Sequence, residues 1–139
     1  MSLIKNKFTL LNQSYLKSLS KKELSKTFLI KNMTVGKKNA AGKNNLGKIT
    51  INHKGGGHKK KYRKINFTRN EDSVGIVTSL EYDPYRTAFI VSVYDFLNHK
   101  YFYMIAPKTL NIGDIVKSGF NDEIKTGHCL PLMKIPIGG

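Results

Sequence analysis

From Lys31 to Arg69 the chain carries twelve Lys or Arg and not one Asp or Glu. That stretch limits what the protein can fold into, because unpaired cations at this density cannot enter an apolar interior. Within it, Gly47-Lys48-Ile49-Thr50-Ile51-Asn52-His53-Lys54 and Lys59-Lys60-Lys61-Tyr62-Arg63-Lys64-Ile65-Asn66-Phe67 flank Gly55, Gly56, Gly57 and His58. Three consecutive glycines lose much chain entropy on ordering, so a partner is expected to fix them. Backbone without Cβ atoms lets a phosphate approach closely, and the neighbouring lysines supply charge. The pattern points to a polyanion.

The rest of the chain is not built this way. Residues 1–30 hold six Lys and one acid, and residues 71–139 hold six basic against eight acidic residues. The net charge of +15 is therefore concentrated in one segment. A membrane surface would want large apolar residues interleaved on one face. Between Gly36 and Gly47 the apolar residues are only Ala40, Ala41 and Leu46, so membrane binding is set aside. No apolar run approaches the roughly 20 residues needed to span a bilayer. The single cysteine, Cys129, excludes an internal disulfide and suits a reducing compartment. His53, His58, His99, His128 and Cys129 do not form a compact metal-ligand pattern.

The basic residues are 21 Lys and only three Arg: Arg63, Arg69 and Arg86. Arg is the better bidentate phosphate ligand, so RNA chemistry would not choose this ratio. Lys, Asn and Ile together fill 46 positions, a bias expected of an A+T-rich coding genome such as that of an organelle.

Three divisions are expected: a helical docking extension at 1–30, a basic arm at 31–67 leading into a first strand, and a barrel at 68–139. In the first, Phe8, Leu11, Tyr15, Leu16 and Leu19 fall at helical spacing. Ser20-Lys21-Lys22-Glu23 has the capping-box form and predicts a second helix through Leu24 and Phe28. The acid-poor start also looks like a transit peptide but lacks Arg, so a retained docking segment is preferred. The arm, with Gly36, Lys37, Lys38, Asn39, Gly42, Lys43, Asn44, Asn45 and Gly47, buries too little apolar surface to order itself.

From Ile49 the pattern turns to β, first at Ile49 and Ile51, then at Tyr62, Ile65 and Phe67. Strands are predicted over Ser73–Tyr82, Thr87–Phe96, Tyr101–Ala106 and Ile115–Val116, with a last run from Leu130 to Ile135. Asp83-Pro84-Tyr85-Arg86 and Leu97-Asn98-His99-Lys100 are turns. About five short strands with Gly and Pro punctuation make the chain mainly β, a small OB-type barrel. Tyr62, Tyr85 and Tyr101 are core residues first and base-stacking candidates second.

These residues resemble a known family. Gly42-Lys43-Asn44-Asn45-Leu46-Gly47-Lys48-Ile49-Thr50, His53-Lys54-Gly55-Gly56-Gly57-His58-Lys59, Tyr62-Arg63 and Glu81-Tyr82-Asp83-Pro84-Tyr85-Arg86 look like the universal large-subunit ribosomal protein family L-two. Tyr103–Lys108, Gly113-Asp114, Ser118-Gly119, Leu130-Pro131-Leu132 and Ile135–Gly138 continue it in the same order. The resemblance covers about residues 31–139 and implies an arm plus an OB-fold domain.

It also implies a second half, an SH3-like barrel with a basic extension reaching toward the peptidyl-transferase centre. That half is expected on a separate polypeptide or to be lost, in a mitochondrial or alternatively a plastid ribosome. The implied partners are large-subunit ribosomal RNA and other ribosomal proteins. The runner-up is a free OB-fold RNA-binding or translation factor.

The residues expected on RNA are Lys37, Lys38, Lys43, Asn44, Asn45, Lys48, His53, Lys54, Gly55, Gly56, Gly57, His58, Lys59, Lys60, Lys61, Tyr62, Arg63, Lys64, Arg69 and Arg86. His53 and His58 would donate to phosphate or 2′-hydroxyl groups. An irregular arm suits folded RNA, whereas readers of duplex DNA present a helix or ribbon to a groove. No cofactor is expected beyond Mg²⁺ held by RNA itself. Gly55-Gly56-Gly57-His58-Lys59-Lys60 lacks the spacer and the Lys-Ser/Thr ending of a nucleotide-binding loop. Without nearby carboxylates, and with no third group to orient His128 and Cys129, no catalytic assignment is made.

Overall fold

The computed structural model describes residues 3–5, 17–26, 30–119 and 124–135. Among these residues eight strands form three antiparallel sheets. β1 (Leu3–Lys5) pairs with β2 (Lys17–Leu19), and β3 (Thr34–Gly36) pairs with β4 (Lys61–Arg63). The main sheet joins β5 (Ser73–Glu81), β6 (Ile90–Asp95), β7 (Lys100–Ile105) and β8 (Ile115–Ser118) in the order β7-β6-β5-β8.

The β-branched and aromatic runs expected as strands between Ser73 and Val116 are strands, and the turns lie where Pro and Asn put them. Tyr85 N–H donates to Asp83 Oδ1 at 3.0 Å, and Arg86 N–H to Asp83 O at 3.4 Å. In the β6–β7 connection, Asp95 takes the Leu97 N–H and the Asn98 amide on its two oxygens. His99 completes that turn with φ of 51°, the left-handed region that Asn and His enter more readily than most residues.

A bulge in β5 gives the sheet two different faces. Val77 pairs with Val93 and Ser79 with Ser92, so Thr78 is the extra residue. An added residue bends the strand and reverses which side chains face each way. Leu80, Val91 and Met104 form one row, and with Val77, Val93, Leu110 and Val116 they build the apolar core. Ser79, Ser92 and Tyr103 form the adjacent row, which pleating turns to the opposite face. There the side chains are polar and paired. Ser79 Oγ donates to Glu81 Oε1 at 3.1 Å, and Tyr103 Oη to Glu81 Oε2 at 3.0 Å.

This mainly β architecture is a small OB-type domain. Four strands hydrogen-bond in its main sheet. A parallel bridge between Ile65 and Tyr103 on one edge and another between Ser118 and Cys129 on the other stand in place of further strands. The Leu130–Ile135 run is not a strand: Leu132–Lys134 is a 3₁₀ turn with Leu132 and Met133 exposed.

Two more expectations need correction. Ile49 and Ile51 make no strand; they are exposed, and Ile49 forms only a single bridge to Lys43. No partner strand lies beside them to cover the alternate side chains, so the pattern has nothing to pack on. Among the described residues the N-terminal extension is β, not helical. Phe8, Leu11, Tyr15, Leu16 and Phe28 lie outside those residues, while Leu19 is in β2. The capping-box sequence closes one turn, with Leu24 N–H donating to Lys21 O at 3.3 Å. The next N–H, that of Ser25, donates instead to Leu80 O at 2.7 Å. Leu24 packs on the core there, and this tertiary contact outweighs a propensity worth only tenths of a kcal/mol per residue. No helix among the described residues is long and apolar enough to cross a membrane.

Candidate nucleic-acid interface

The β3–β4 pair closes a long excursion. Gly36 lies opposite Lys61, so residues 37–60 leave the domain and return at the same point. Within the excursion Lys43, Asn45, Lys48, His53, Lys54, His58, Lys59 and Lys60 are all exposed, as are Lys37 and Lys38 at its start and Lys61 and Lys64 beyond it.

Local hydrogen bonds, not an apolar core, give this loop its shape. Asn44 Oδ1 accepts from Leu46 N–H at 3.0 Å and Lys48 N–H at 2.8 Å. Asn44 is thus a turn-forming residue, a use its polar character alone did not reveal. Gly42 O accepts both the N–H and the hydroxyl of Thr50. The two limbs are clasped by Asn39, whose amide donates to Gly55 O at 3.3 Å and Gly56 O at 3.2 Å.

Between the limbs is an open groove of about 1050 Å³. Gly36, Lys37, Lys38 and Asn39 line one side, Gly55–Lys60 the other, and Tyr85 contributes its ring. Lys37 and Lys60 approach that ring from opposite limbs, each Nζ 5.9 Å from its centroid. A Cβ on Gly55 would meet nothing within 4 Å. By contrast, one on Gly75 would lie 2.6 Å from Val93 Cγ1 and 2.7 Å from Tyr94 O. The fold requires glycine at 75 and makes no such demand at 55.

The arginines behave differently from the lysines. Arg63 is 1% accessible and lies 3.6 Å from the equally buried Asp83 carboxylate, with Nη1 also donating to Lys61 O. Arg86 pairs with the other oxygen of Asp83, donates to Tyr62 Oη at 3.3 Å and lies 5.3 Å over the Tyr62 ring. Arg69, at a φ of 42°, donates to Gly127 O at 2.6 Å and Lys117 O at 3.1 Å. Burial pulls its pKa below the ordinary arginine value, an effect partly opposed by Cys129.

All three were expected on RNA, and all three make contacts within the protein. A planar fork with five donors suits these fixed pairings, while flexible lysines suit a solvated surface. Tyr62, half covered, supports Arg86 and meets the edge of Tyr85 at 5.7 Å between centroids. Asp83 is the residue that sequence reasoning undervalued. Its turn role was legible, but its double Arg pairing adds Arg63, 20 positions upstream, to Arg86 of its own turn.

The loop 37–60 carries charge of one sign only. Glu81, Asp83 and Asp95 are all buried, so three of the eight carboxylates in residues 71–139 do not face solvent. Among the described residues no group of three or more His, Cys, Asp or Glu is placed to hold a metal ion. What the groove can do is bind phosphate oxygens through Lys37, Lys38, Lys59 and Lys60 against bare glycine backbone.

Residues 30–118 match the family described as Ribosomal Proteins L2, RNA binding N-terminal domain. The chain is 50% identical over 91 residues to the large ribosomal subunit protein uL2 of Wolbachia sp. subsp. Brugia malayi (strain TRS). It is 48% identical over 92 residues to that of Blochmanniella pennsylvanica (strain BPEN). Each match covers 66% of this chain and 33% of the relative, so the chain spans about a third of the length of the curated relatives it matches. With the groove, the one-signed loop and these matches together, the chain belongs to the ribosomal protein L2 family, and residues 30–118 correspond to the N-terminal domain of that family.

Proposed function

We propose that this chain is a structural, non-catalytic constituent of the large ribosomal subunit that grips ribosomal RNA with the loop 37–60. The observation that carries the reading is the groove itself. Cations converge there from two limbs, no carboxylate lies in the loop, and glycine stands at a position where the fold does not ask for it. The exposed set Lys37, Lys38, Lys43, Lys48, Lys54, Lys59, Lys60, Lys61 and Lys64 neutralises phosphates, and His53 and His58 donate to phosphate or 2′-hydroxyl oxygens. Mg²⁺ at such a contact belongs to the RNA.

The test is sedimentation of the tagged full chain through a sucrose gradient of cell or organelle lysate. It is expected with the large subunit, leaving it only in high salt or denaturant. Recovery at the top of the gradient, bound to short single strands, would replace this reading with a free RNA-binding factor.

The finer placement is a mitochondrial ribosome in which a second polypeptide supplies the remainder of the family's length. The Lys-over-Arg and Asn/Ile bias supports an organellar gene. Other ribosomal proteins are the remaining partners. Mass spectrometry of large subunits from purified mitochondria is expected to find this chain with a separate L2 C-terminal chain. Finding it in plastid subunits, or fused to that half, would correct the placement.

A further inference from the structure

We propose that Tyr85, Lys37 and Lys60 form a subsite for one unpaired RNA nucleotide, its base on the Tyr85 ring and its phosphate between the two ammonium groups. The inference rests on the RNA-binding reading above and names the part of an RNA that the groove takes.

Among the described residues Tyr85 is the one aromatic lining the groove, and it is 41% exposed. It is also held in place. Its N–H is fixed by Asp83 Oδ1, and the Tyr62 ring meets it at 72°, edge to face. An exposed aromatic fixed from behind is a stacking platform that loses little entropy when a base settles on it. The other exposed rings near the loop are occupied differently. Arg86 lies over Tyr62 and over Phe67, and Lys21 sits 4.5 Å over Tyr82, outside the groove.

The two lysines add the second half of the recognition. Each Nζ is 5.9 Å from the same ring, so lysines from both limbs flank Tyr85. A phosphate beside that ring can take charge-assisted hydrogen bonds from these flexible side chains. The glycine limb at 55–57 lets a sugar–phosphate backbone pass without meeting a side chain at 55.

Size argues for a nucleotide over a helix. The groove, about 1050 Å³, is close to the roughly 300–1,000 Å³ range of small-molecule sites. Bases inside a duplex are stacked on one another and present no face to a tyrosine, whereas bulges and loops do.

The experiment titrates the full chain against two RNA hairpins that differ only by a single bulged 2-aminopurine. The bulged hairpin is expected to bind about 5- to 150-fold tighter, with quenching of 2-aminopurine as it stacks. Tyr85→Leu should reduce the bulged hairpin to the affinity of the paired one and abolish the quench, while Tyr85→Phe keeps both. Lys37→Gln with Lys60→Gln should diminish the preference as well as overall affinity.

Equal affinity of the wild-type chain for the two hairpins, or binding without quenching, overturns the subsite and leaves the RNA reading standing. Failure to bind either hairpin overturns both. The wild-type quench decides the matter even if the Leu variant does not fold.

Discussion

Asp83 fixes three groups at once: the Arg63 guanidinium from β4, the Arg86 guanidinium from its own turn, and the Tyr85 N–H. Both Asp83 and Arg63 are fully buried, so a neutral side chain at 83 would break an ion pair inside the protein. Asp83→Asn is expected to cost about 3–5 kcal/mol, read as a lower urea midpoint at unchanged slope. An unchanged midpoint would mean that the two arginines do not depend on this carboxylate. Glycines give a paired test. Gly75→Ala drives a methyl into Val93 and the Tyr94 carbonyl and should destabilise by about 3 kcal/mol. Gly55→Ala meets nothing, so its melting temperature should stay within about a degree while RNA affinity falls. Equal RNA affinity in the Gly55→Ala chain would remove close backbone approach at that residue.

At the scale of elements, the loop 37–60 and the β-domain are separable in what they do. Gly36 and Lys61 face each other across the β3–β4 pair, so a two-residue Asn-Gly turn can replace everything between them. The shortened chain is expected to keep its β-sheet circular dichroism and most of its thermal stability, and to lose RNA affinity by more than about 100-fold. In the intact chain, neutralising about six phosphates should give a log–log salt slope of roughly −4 to −5. A slope shallower than about −2 would take phosphate contact away as the main source of affinity. The loop's shape comes from Asn39 and Asn44 side chains bonding to backbone, which is why it has a defined groove despite having no strand of its own. Alternation at Ile49 and Ile51 is a local pattern, and no sheet lies beside it to turn the pattern into a strand.

Across the whole molecule, Tyr103 is the point where the parts meet. Its hydroxyl donates to Glu81 and accepts from Ile30 N–H at 3.4 Å, while its carbonyl accepts from Asn66 N–H at 2.9 Å. Burial, with the Glu81 charge beside it, pushes the phenol up from 10.0 to about 12. A raised folded-state pKa stabilises the fold fully below pH 10, and the contribution is lost as pH climbs from 10 toward 12. The stability difference between wild type and Tyr103→Phe should therefore shrink across that window, measured by urea unfolding at stepped pH. A constant difference would show that the hydroxyl does not sense its buried neighbours.

The segregation of charge, the order of the main strands and the turns at Asp83 and Asn98 were legible in the sequence. Each is a local property of residue type, spacing and backbone preference. Tertiary structure decided the protein contacts of Arg63, Arg69 and Arg86, since a cation's charge does not say which distant carboxylate or carbonyl it will meet. It also drew residues 24 and 25 onto the sheet in place of a helix and set Lys37 and Lys60 against one ring. Those outcomes depend on which distant backbone and side-chain groups arrive together, a long-range pairing that no short window of sequence encodes.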